Sequence, residues 1–309
     1  MAEQTLDAES VLAKLNELKL NLNIDGLPYQ LEKMFPRLDG WGVKAEIKRR
    51  VKLIQQVEPQ LPEMLYPNEK ILYIAKGVQH SIIEAITIGA LWSNMINQTV
   101  FVLTNLRLLM IRSNSKGKPA ETCWMIYYSE ITKFKPTLTG VLDLKLDDGK
   151  SIRFTGFPKL DRKTMPKIFE EALETYRERG FEPDCSQSRE DLCGSCFAIV
   201  PKGRFQCGKC GTTFWTPGQV AIRSLIFPAW GDMLLKHRML ACVELVGLTV
   251  TWFVAYALAD DGDYAEAALV IGLAHSIDAV VTYFIAKKGL HPSGRQALPE
   301  SDELAASAT

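Results

Sequence analysis

The sequence of 309 residues predicts a multidomain α+β protein in which helical, strand-rich and membrane-spanning parts follow one another. Three observations predict this class. Apolar residues recur at helical spacing through the first 60 residues, and seven short β-branched or aromatic runs lie between residues 71 and 154. Two apolar stretches of about 20 residues follow near the C-terminus, each long enough to cross a bilayer.

Charge and cysteine content narrow the class of protein. The chain has 36 basic and 36 acidic residues, so no global field would draw it to nucleic acid. Its N-terminus is acidic and has no apolar run, so we expect no cleavable signal peptide and a cytosolic N-terminal part. Seven cysteines, an odd number with two CxxC pairs among them, favour metal binding over a disulfide framework.

Residues 1–61 form the predicted N-terminal helical region. One apolar face begins at Val11 and Leu15, and a second begins at Val43 and Ile47. The second helix carries a basic side that could contact an anionic membrane or an acidic partner. A solvated face of a packed helix is the alternative interpretation. The basic residues are Lys44, Lys48, Arg49, Arg50 and Lys52.

Residues 62–181 predict a strand-rich domain closed by a helix. Turn signals separate the runs, and Asp147-Asp148-Gly149 is the strongest hairpin signal among them. An amphipathic helix with Met165, Phe169 and Tyr176 on one side follows and ends at Gly180. Seven short strands and one helix indicate a small seven-stranded antiparallel barrel or sandwich, with the helix covering its open end.

Three motifs in this region resemble bacterial pleckstrin-homology (PH) or GRAM-like domains. They begin at Glu69 (EKIL), Val102 (VLTNLRLL) and Ile126 (IYYSEI), and the resemblance covers roughly residues 62–180. It implies a seven-stranded barrel with a C-terminal helix. The first hairpin, residues 77–98, contains no Lys or Arg, unlike phosphoinositide-binding members of the fold. Its apolar segment from His80 to Met95 is expected to pack on the barrel, with an exposed docking surface as the alternative.

Residues 182–218 contain the pattern CxxC-x10-CxxC, which resembles zinc ribbons. Each CxxC turn presents two thiolates, and four thiolates satisfy the tetrahedral preference of Zn²⁺ without leaving an open position. We therefore expect a structural zinc ion, with two redox-active CxxC pairs as the alternative. Cys123, Cys185 and Cys242 are interpreted as spare cysteines. The predicted ligands are Cys193, Cys196, Cys207 and Cys210.

Residues 219–290 predict an interfacial segment and a transmembrane hairpin. The two apolar stretches, Met239–Leu258 and Ala265–Ala286, are joined by an acidic turn at residues 260–263 and flanked outside by basic residues. The positive-inside rule then places both flanks, and both termini, in the cytoplasm and the hairpin in the inner membrane. A buried core hairpin in a soluble protein is the alternative. The tail, residues 291–309, is predicted to be disordered.

Three polar residues lie inside the apolar stretches. His275 and Asp278 share a helix face, and Glu244 lies within about 4.5 Å of the height of Asp278 if the helices are antiparallel. These side chains could therefore meet. They would form either an ion or proton pathway, or a cluster that fixes the hairpin or an oligomer.

The entry to the first stretch resembles small bacterial two-helix membrane modules of the TM2 kind. The similarity covers Pro228-Ala229-Trp230-Gly231-Asp232, with alanine where the family has its first glycine and no tyrosine shortly after. This resemblance implies an interfacial entry with Trp230 at the headgroup level.

No nucleophile–base pair, phosphate loop or open metal site is recognisable, so the sequence predicts a non-enzymatic protein. The first hypothesis is a membrane-anchored adaptor or scaffold that presents the barrel and the ribbon to protein partners or the membrane surface. The second is a small oligomeric channel or transporter subunit that uses Glu244, His275 and Asp278. The third, a zinc ribbon that binds nucleic acid, has only Lys202, Arg204 and Lys209 to contact phosphates.

Overall fold

The structure is a computed structural model that describes residues 7–80, 82–181 and 183–295. The chain divides into two compact units. The first comprises residues 1–81 and 97–202, and the second comprises residues 82–96 and 203–309. The chain therefore passes from the first unit to the second twice. It enters the second unit for the 15 residues 82–96, returns to the first at residue 97, and enters the second again at residue 203.

The first unit begins with four helices, and two of them carry the two predicted apolar faces. The Asp7 side chain caps the first of them by accepting a hydrogen bond of 2.7 Å from the Ser10 N–H. Val11, Leu15, Val43 and Ile47 of these faces are buried. The helices are α1 (Ala8–Glu17), α2 (Leu31–Met34), α3 (Val43–Val57) and α4 (Leu61–Met64).

A nine-stranded antiparallel sheet forms the centre of this unit, and all seven predicted strand runs are found in it. The strands are β1 (Ile71–Gln79), β2 (Gln98–Thr104), β3 (Arg107–Ser113), β4 (Pro119–Tyr127), β5 (Ile131–Pro136), β6 (Leu142–Leu146), β7 (Ser151–Thr155), β8 (Glu190–Leu192) and β9 (Ile199–Val200). Their order is β5-β6-β7-β1-β2-β3-β4-β8-β9.

The prediction of a closed seven-stranded barrel is wrong, because the sheet has nine strands and stays open. The two additional strands come from the cysteine-rich segment. Strand β8 pairs with β4, placing Leu192 opposite Cys123, and β9 pairs with β8. Strands of three and two residues are too short to show an alternating pattern, so periodicity could not predict them.

The sheet is covered on both faces. Helices α1–α4 share an apolar core with side chains such as Ile74, Val102 and Met125 on one face. On the other face, α7 (Lys159–Glu178) buries Met165 and Phe169 with the rest of its predicted apolar side. The N-terminal region therefore shares one core with the sheet.

The second unit contains six helices and two strands among the described residues. They are α5 (Ile82–Thr87), α6 (Ala90–Ile96), α8 (Pro217–Ile226), α9 (Trp230–Leu234), α10 (Arg238–Asp260), α11 (Tyr264–Ala286), β10 (Thr212–Phe214) and β11 (Pro292–Arg295). A capping box of Thr216 and Gln219 begins α8. Helices α8 and α11 share an apolar cluster that includes Val220, Val281 and Ile285.

Two expectations are corrected in this unit. The segment at His80–Met95 was expected to pack on the barrel, but Ile88, Trp92 and Ile96 pack against the apolar cluster of the second unit. The tail was expected to be disordered from residue 291, but Pro292–Arg295 form β11, which pairs with β10. Residues 296–309 lie outside the described part of the chain.

Candidate metal centre and carboxylate cluster

The first CxxC turn is built by a tight backbone arrangement after β8. The Cys193 carbonyl accepts a hydrogen bond of 2.8 Å from the Phe197 N–H, and the Cys193 N–H donates to the Ala198 carbonyl at 2.9 Å. Phe197 has a left-handed backbone (φ 53°). A Cβ at Gly194 would lie 2.0 Å from the Glu121 carbonyl oxygen, so only glycine fits at this position.

The second CxxC turn, before β10, repeats this arrangement. The Cys207 carbonyl accepts from the Gly211 N–H at 3.0 Å, and the Cys207 N–H donates to the Thr212 carbonyl at 2.8 Å. Gly211 takes the left-handed position (φ 70°) that Phe197 takes in the first turn. The two turns thus have the same hydrogen-bond pattern at equivalent residues.

The predicted ligands Cys193, Cys196, Cys207 and Cys210 form one group, with their sulfur atoms all within 4.8 Å of one another. None of the seven cysteines forms a disulfide. Four thiols at this separation in paired turns fit a metal ion that prefers soft tetrahedral ligands. The group could therefore hold a metal ion, and a four-thiolate set leaves no coordination position for a substrate.

The three spare cysteines differ in their surroundings. Cys123 is buried in β4, and Cys242 is exposed on α10. Burial raises the pKa of the Cys185 thiol to about 11, so this thiol is protonated at neutral pH. A protonated thiol is a poor metal ligand and a poor nucleophile.

The basic residues of α3 do not all lie on one surface. Lys44, Lys48, Arg49 and Lys52 are exposed, but Arg50 is only 5% exposed. Its guanidinium donates to the Asp161 carboxylate at 2.6 Å. Burial raises the pKa of the Tyr73 phenol, which donates to the same carboxylate at 2.8 Å. The inclusion of Arg50 among candidate membrane-contact residues is therefore wrong, because a buried ion pair holds its side chain inside the first unit.

Helices α10 and α11 match the two predicted apolar stretches, and each is 23 residues long. Only 17% of the most apolar window of α10 and 28% of that of α11 is buried in the protein. The helix at the core of a soluble protein would be mostly buried. These two helices could therefore span a membrane.

The hairpin brings two of its three predicted polar residues together. Oxygen atoms of Glu244 and Asp278 lie within 4.8 Å of each other and of a third carboxylate, that of Asp232. His275 is held elsewhere, since its Nδ1 lies 2.9 Å from the Leu225 carbonyl oxygen. Asp232 lies before the apolar stretches, in the short helix α9, so the composition of those stretches did not indicate it as a member of the cluster.

Hydrogen bonds connect this carboxylate cluster, Asp232–Glu244–Asp278, to the entry segment. The Ala229 N–H donates to Asp278 Oδ2 at 3.3 Å, and the Thr282 hydroxyl lies 3.4 Å from Asp232 Oδ2. His237 Nδ1 lies 3.1 Å from Asp232 Oδ1. Glu244 Oε2 is buried and has no hydrogen-bond partner among the described residues.

A cavity of about 320 Å³ opens beside this cluster within the second unit. Glu244 and Asp278 are its acidic residues, and apolar side chains of α6, α10 and α11 form most of the remainder. Trp230, predicted at the headgroup level, is 41% exposed at the start of α9.

Comparisons with known proteins give no close relative. No family model and no curated protein matches the chain. Among solved structures, the chain is similar to the C-terminal domain of an unknown protein from Leishmania infantum, with a TM-score of 0.27, 13% identity, and coverage of 42% of this chain and 97% of that one. It is also weakly similar to the linker-DH/PH domains of p115-RhoGEF, with a TM-score of 0.27, 6% identity and 43% of each chain covered.

Proposed function

We propose that the protein is a membrane-anchored adaptor whose helices α10 and α11 cross a bilayer. The observation that carries this proposal is the exposure of these helices, with 17% and 28% of their most apolar windows buried. Exposed apolar area of this extent is unfavourable in water, at roughly 25 cal/mol per Å². Lipid removes that cost, and 23 helical residues span about 34 Å, enough for a hydrocarbon core of about 30 Å.

Charge supports an orientation with both ends of the hairpin in the bacterial cytoplasm, at the inner membrane. Basic residues flank the hairpin on its open side, whereas its turn is acidic. This orientation keeps the four cysteines in a reducing compartment, where thiolates persist as metal ligands. The flanking cations are Arg223, Lys236, Arg238, Lys287 and Lys288, and the acidic turn residues are Asp260, Asp261 and Asp263.

The proposed partner of the first unit is an acidic protein surface or anionic headgroups at the same membrane. Helix α3 exposes Lys44, Lys48, Arg49 and Lys52, none of which forms an ion pair among the residues that the structure describes. Clustered exposed cations favour acidic partners and accelerate association at low salt.

The proposed role of the metal is structural, and the proposed metal is Zn²⁺. Four thiolates satisfy zinc fully, so this site supports folding and not catalysis. Nucleic acid is the less favoured partner of this segment, since its cations other than Arg189, which stacks over Trp124, are Lys202, Arg204 and Lys209.

Extraction and crosslinking together test the adaptor. Full-length protein should stay in the membrane pellet at alkaline pH, and its release would remove the proposed anchor. A photocrosslinking residue at Lys48 should then capture a discrete protein in intact membranes, and Arg49→Glu should abolish that product. The same residue placed at exposed Lys145, on β6, is the control. Identical products at both positions would contradict a specific surface on α3.

The carboxylate cluster favours a second candidate function, cation transport by an oligomer of hairpins. Three carboxylates within 4.8 Å of one another are costly in a membrane unless cations or protons compensate them. Asp278→Asn combined with Glu244→Gln separates the two candidates. A transport function predicts loss of cation flux in liposomes with the oligomer intact. A structural cluster predicts a changed melting temperature and no flux in either protein.

A further inference from the structure

The segment 82–96 connects two neighbouring strands of the first unit but folds in the second. It forms two short helices, α5 and α6, which are separated at Gly89, where φ is +84°. Its inner side chains, Ile88, Trp92 and Ile96, pack against the apolar cluster of α8, α10 and α11. The segment is therefore part of the same unit as the hairpin.

Its single charge is neutralised inside the protein. Glu84 is the only ionisable residue in the segment and is 1% exposed. It forms an ion pair with Lys288, which lies just beyond the end of α11, and it lies 3.4 Å from the Ser93 hydroxyl. The segment consequently presents no charge that would resist transfer from water into a lipid environment.

The outer side of the segment also carries large apolar side chains. Ile86 is 79% exposed, Leu91 is 68% exposed and Met95 is 40% exposed. The exposed polar residues of the segment, Thr87 and Asn94, are both uncharged. A helix that lies on a soluble protein carries charged residues outward, whereas helices that are apolar all round are enclosed by protein or lipid.

Length excludes a complete crossing of the membrane. Fifteen residues would span about 22 Å even as one continuous helix, less than the hydrocarbon thickness of about 30 Å. Both ends of the segment return to the first unit, so the chain must enter and leave on the same side. Apolar runs of this length are typical of re-entrant or interfacial elements.

We propose that residues 82–96 form a re-entrant element that inserts into the hydrocarbon of one leaflet beside α10 and α11. The inference rests on the proposed membrane span of the hairpin. The occupant of the outer face is lipid acyl chain, because this face carries no charge and belongs to the same unit as the hairpin, in which Val246, Val250 and Phe253 are also exposed apolar side chains. The first unit is then attached to the bilayer through this insertion as well as through residues 203–238.

Site-directed spin labelling of the full-length protein in liposomes tests the insertion. Labels at Ile86→Cys and Leu91→Cys, in a background of Cys185→Ser and Cys242→Ser, should collide with lipid-soluble oxygen and be protected from a water-soluble nickel chelate. Val250→Cys on α10 provides the lipid-exposed control. Leu138→Cys provides the water-exposed control, since Leu138 is fully exposed between β5 and β6 of the first unit.

Each outcome has one meaning. Labels at residues 86 and 91 that behave like the label at residue 250 support the re-entrant element. Nickel collisions at 86 and 91, with oxygen collisions retained at 250, overturn the element and leave the anchor in place. Nickel collisions at 250 reject the membrane span itself. Immobile labels at 86 and 91 that meet neither agent indicate a protein contact, such as a second copy, and also overturn the proposal.

Discussion

The Arg107 guanidinium forms a two-point ion pair with the Glu69 carboxylate, with Nε and Nη2 each 3.0 Å from one of its oxygens. Arg107 is 2% exposed and Glu69 is 1% exposed. Thr104 donates to the same carboxylate at 2.6 Å, and the Lys70 N–H donates to Asn105 at 2.7 Å. The EKIL and LTNLR motifs, which are distant in the sequence, therefore meet in one buried polar network.

Breaking this pair should destabilise the first unit strongly. Glu69→Gln leaves the Arg107 charge buried without its partner, and such losses cost about 3–5 kcal/mol. Hydrogen exchange of β1 and β3 amides should accelerate accordingly. Arg37→Gln is the control, since Arg37 is half-exposed in its pair with Glu46 and such pairs contribute less than about 1 kcal/mol. Equal effects of the two substitutions would contradict a structural role for the buried pair.

Two neighbouring cations of α3 should behave in opposite ways. Arg50→Ala removes the partner of buried Asp161 and should lower the free energy of unfolding by about 3 kcal/mol. Lys48→Ala should leave stability within about 0.5 kcal/mol and weaken only salt-dependent partner or lipid binding. Urea unfolding and crosslinking yield at two ionic strengths measure both effects. A binding defect in a fully stable Arg50→Ala protein would reject the buried role of Arg50.

In each CxxC turn a glycine follows the first cysteine, and these two glycines, Gly194 and Gly208, should differ in their tolerance of substitution. In Gly194→Ala the new Cβ would lie 2.0 Å from the Glu121 carbonyl, so the turn must shift and metal content should fall. Gly208→Ala meets nothing within 4 Å and should retain full metal content. Metal analysis of the purified full-length proteins measures this difference. Equal metal content in both variants would show that the first turn is looser than described.

Metal binding should depend on all four clustered cysteines and on pH. Cys196→Ser should lose most of the bound zinc, whereas Cys242→Ser should retain it, because Cys242 lies on α10 outside the group. Acidification should release the metal, since thiolates must be protonated as it leaves. Zinc release followed by a colorimetric chelator at decreasing pH measures both. Retention of zinc by Cys196→Ser would indicate a different ligand set.

The contact between α9 and α11 should depend on the absence of a side chain at residue 231. A Cβ at Gly231 would lie 2.3 Å from Ser224 Oγ and 2.4 Å from Thr282 Cγ2, and overpacking of this kind costs about 1–3 kcal/mol. Gly231→Ala should therefore lower the melting temperature in detergent. Gly247→Ala on α10 meets nothing within 4 Å and should be neutral or slightly stabilising. A reversed order would contradict the packing of α9 against α11.

Short-range patterns in the sequence determined much of this protein. Helical spacing located α3 and α7, β-branched and aromatic runs between turn signals located β1 to β7, and cysteine spacing selected the four residues that cluster. These features depend on neighbours within a few residues, and local geometry fixes their period. The length and apolar composition of α10 and α11 could be predicted because they are also local properties of the sequence.

The tertiary structure alone decided which distant surfaces meet. Arg50 looks like its exposed neighbours in sequence, yet Asp161, 111 residues away, buries it. Asp232 joins Glu244 and Asp278 only because the fold places α9 beside the hairpin. Residues 82–96 connect two strands of the sheet, yet they fold in the second unit. Strands β8 and β9 extend the sheet because β8 pairs with β4, which is distant from it in the sequence. Such pairings depend on the free energy gained when complementary surfaces that are distant in the sequence pack together. Local sequence periodicity carries no information about these contacts.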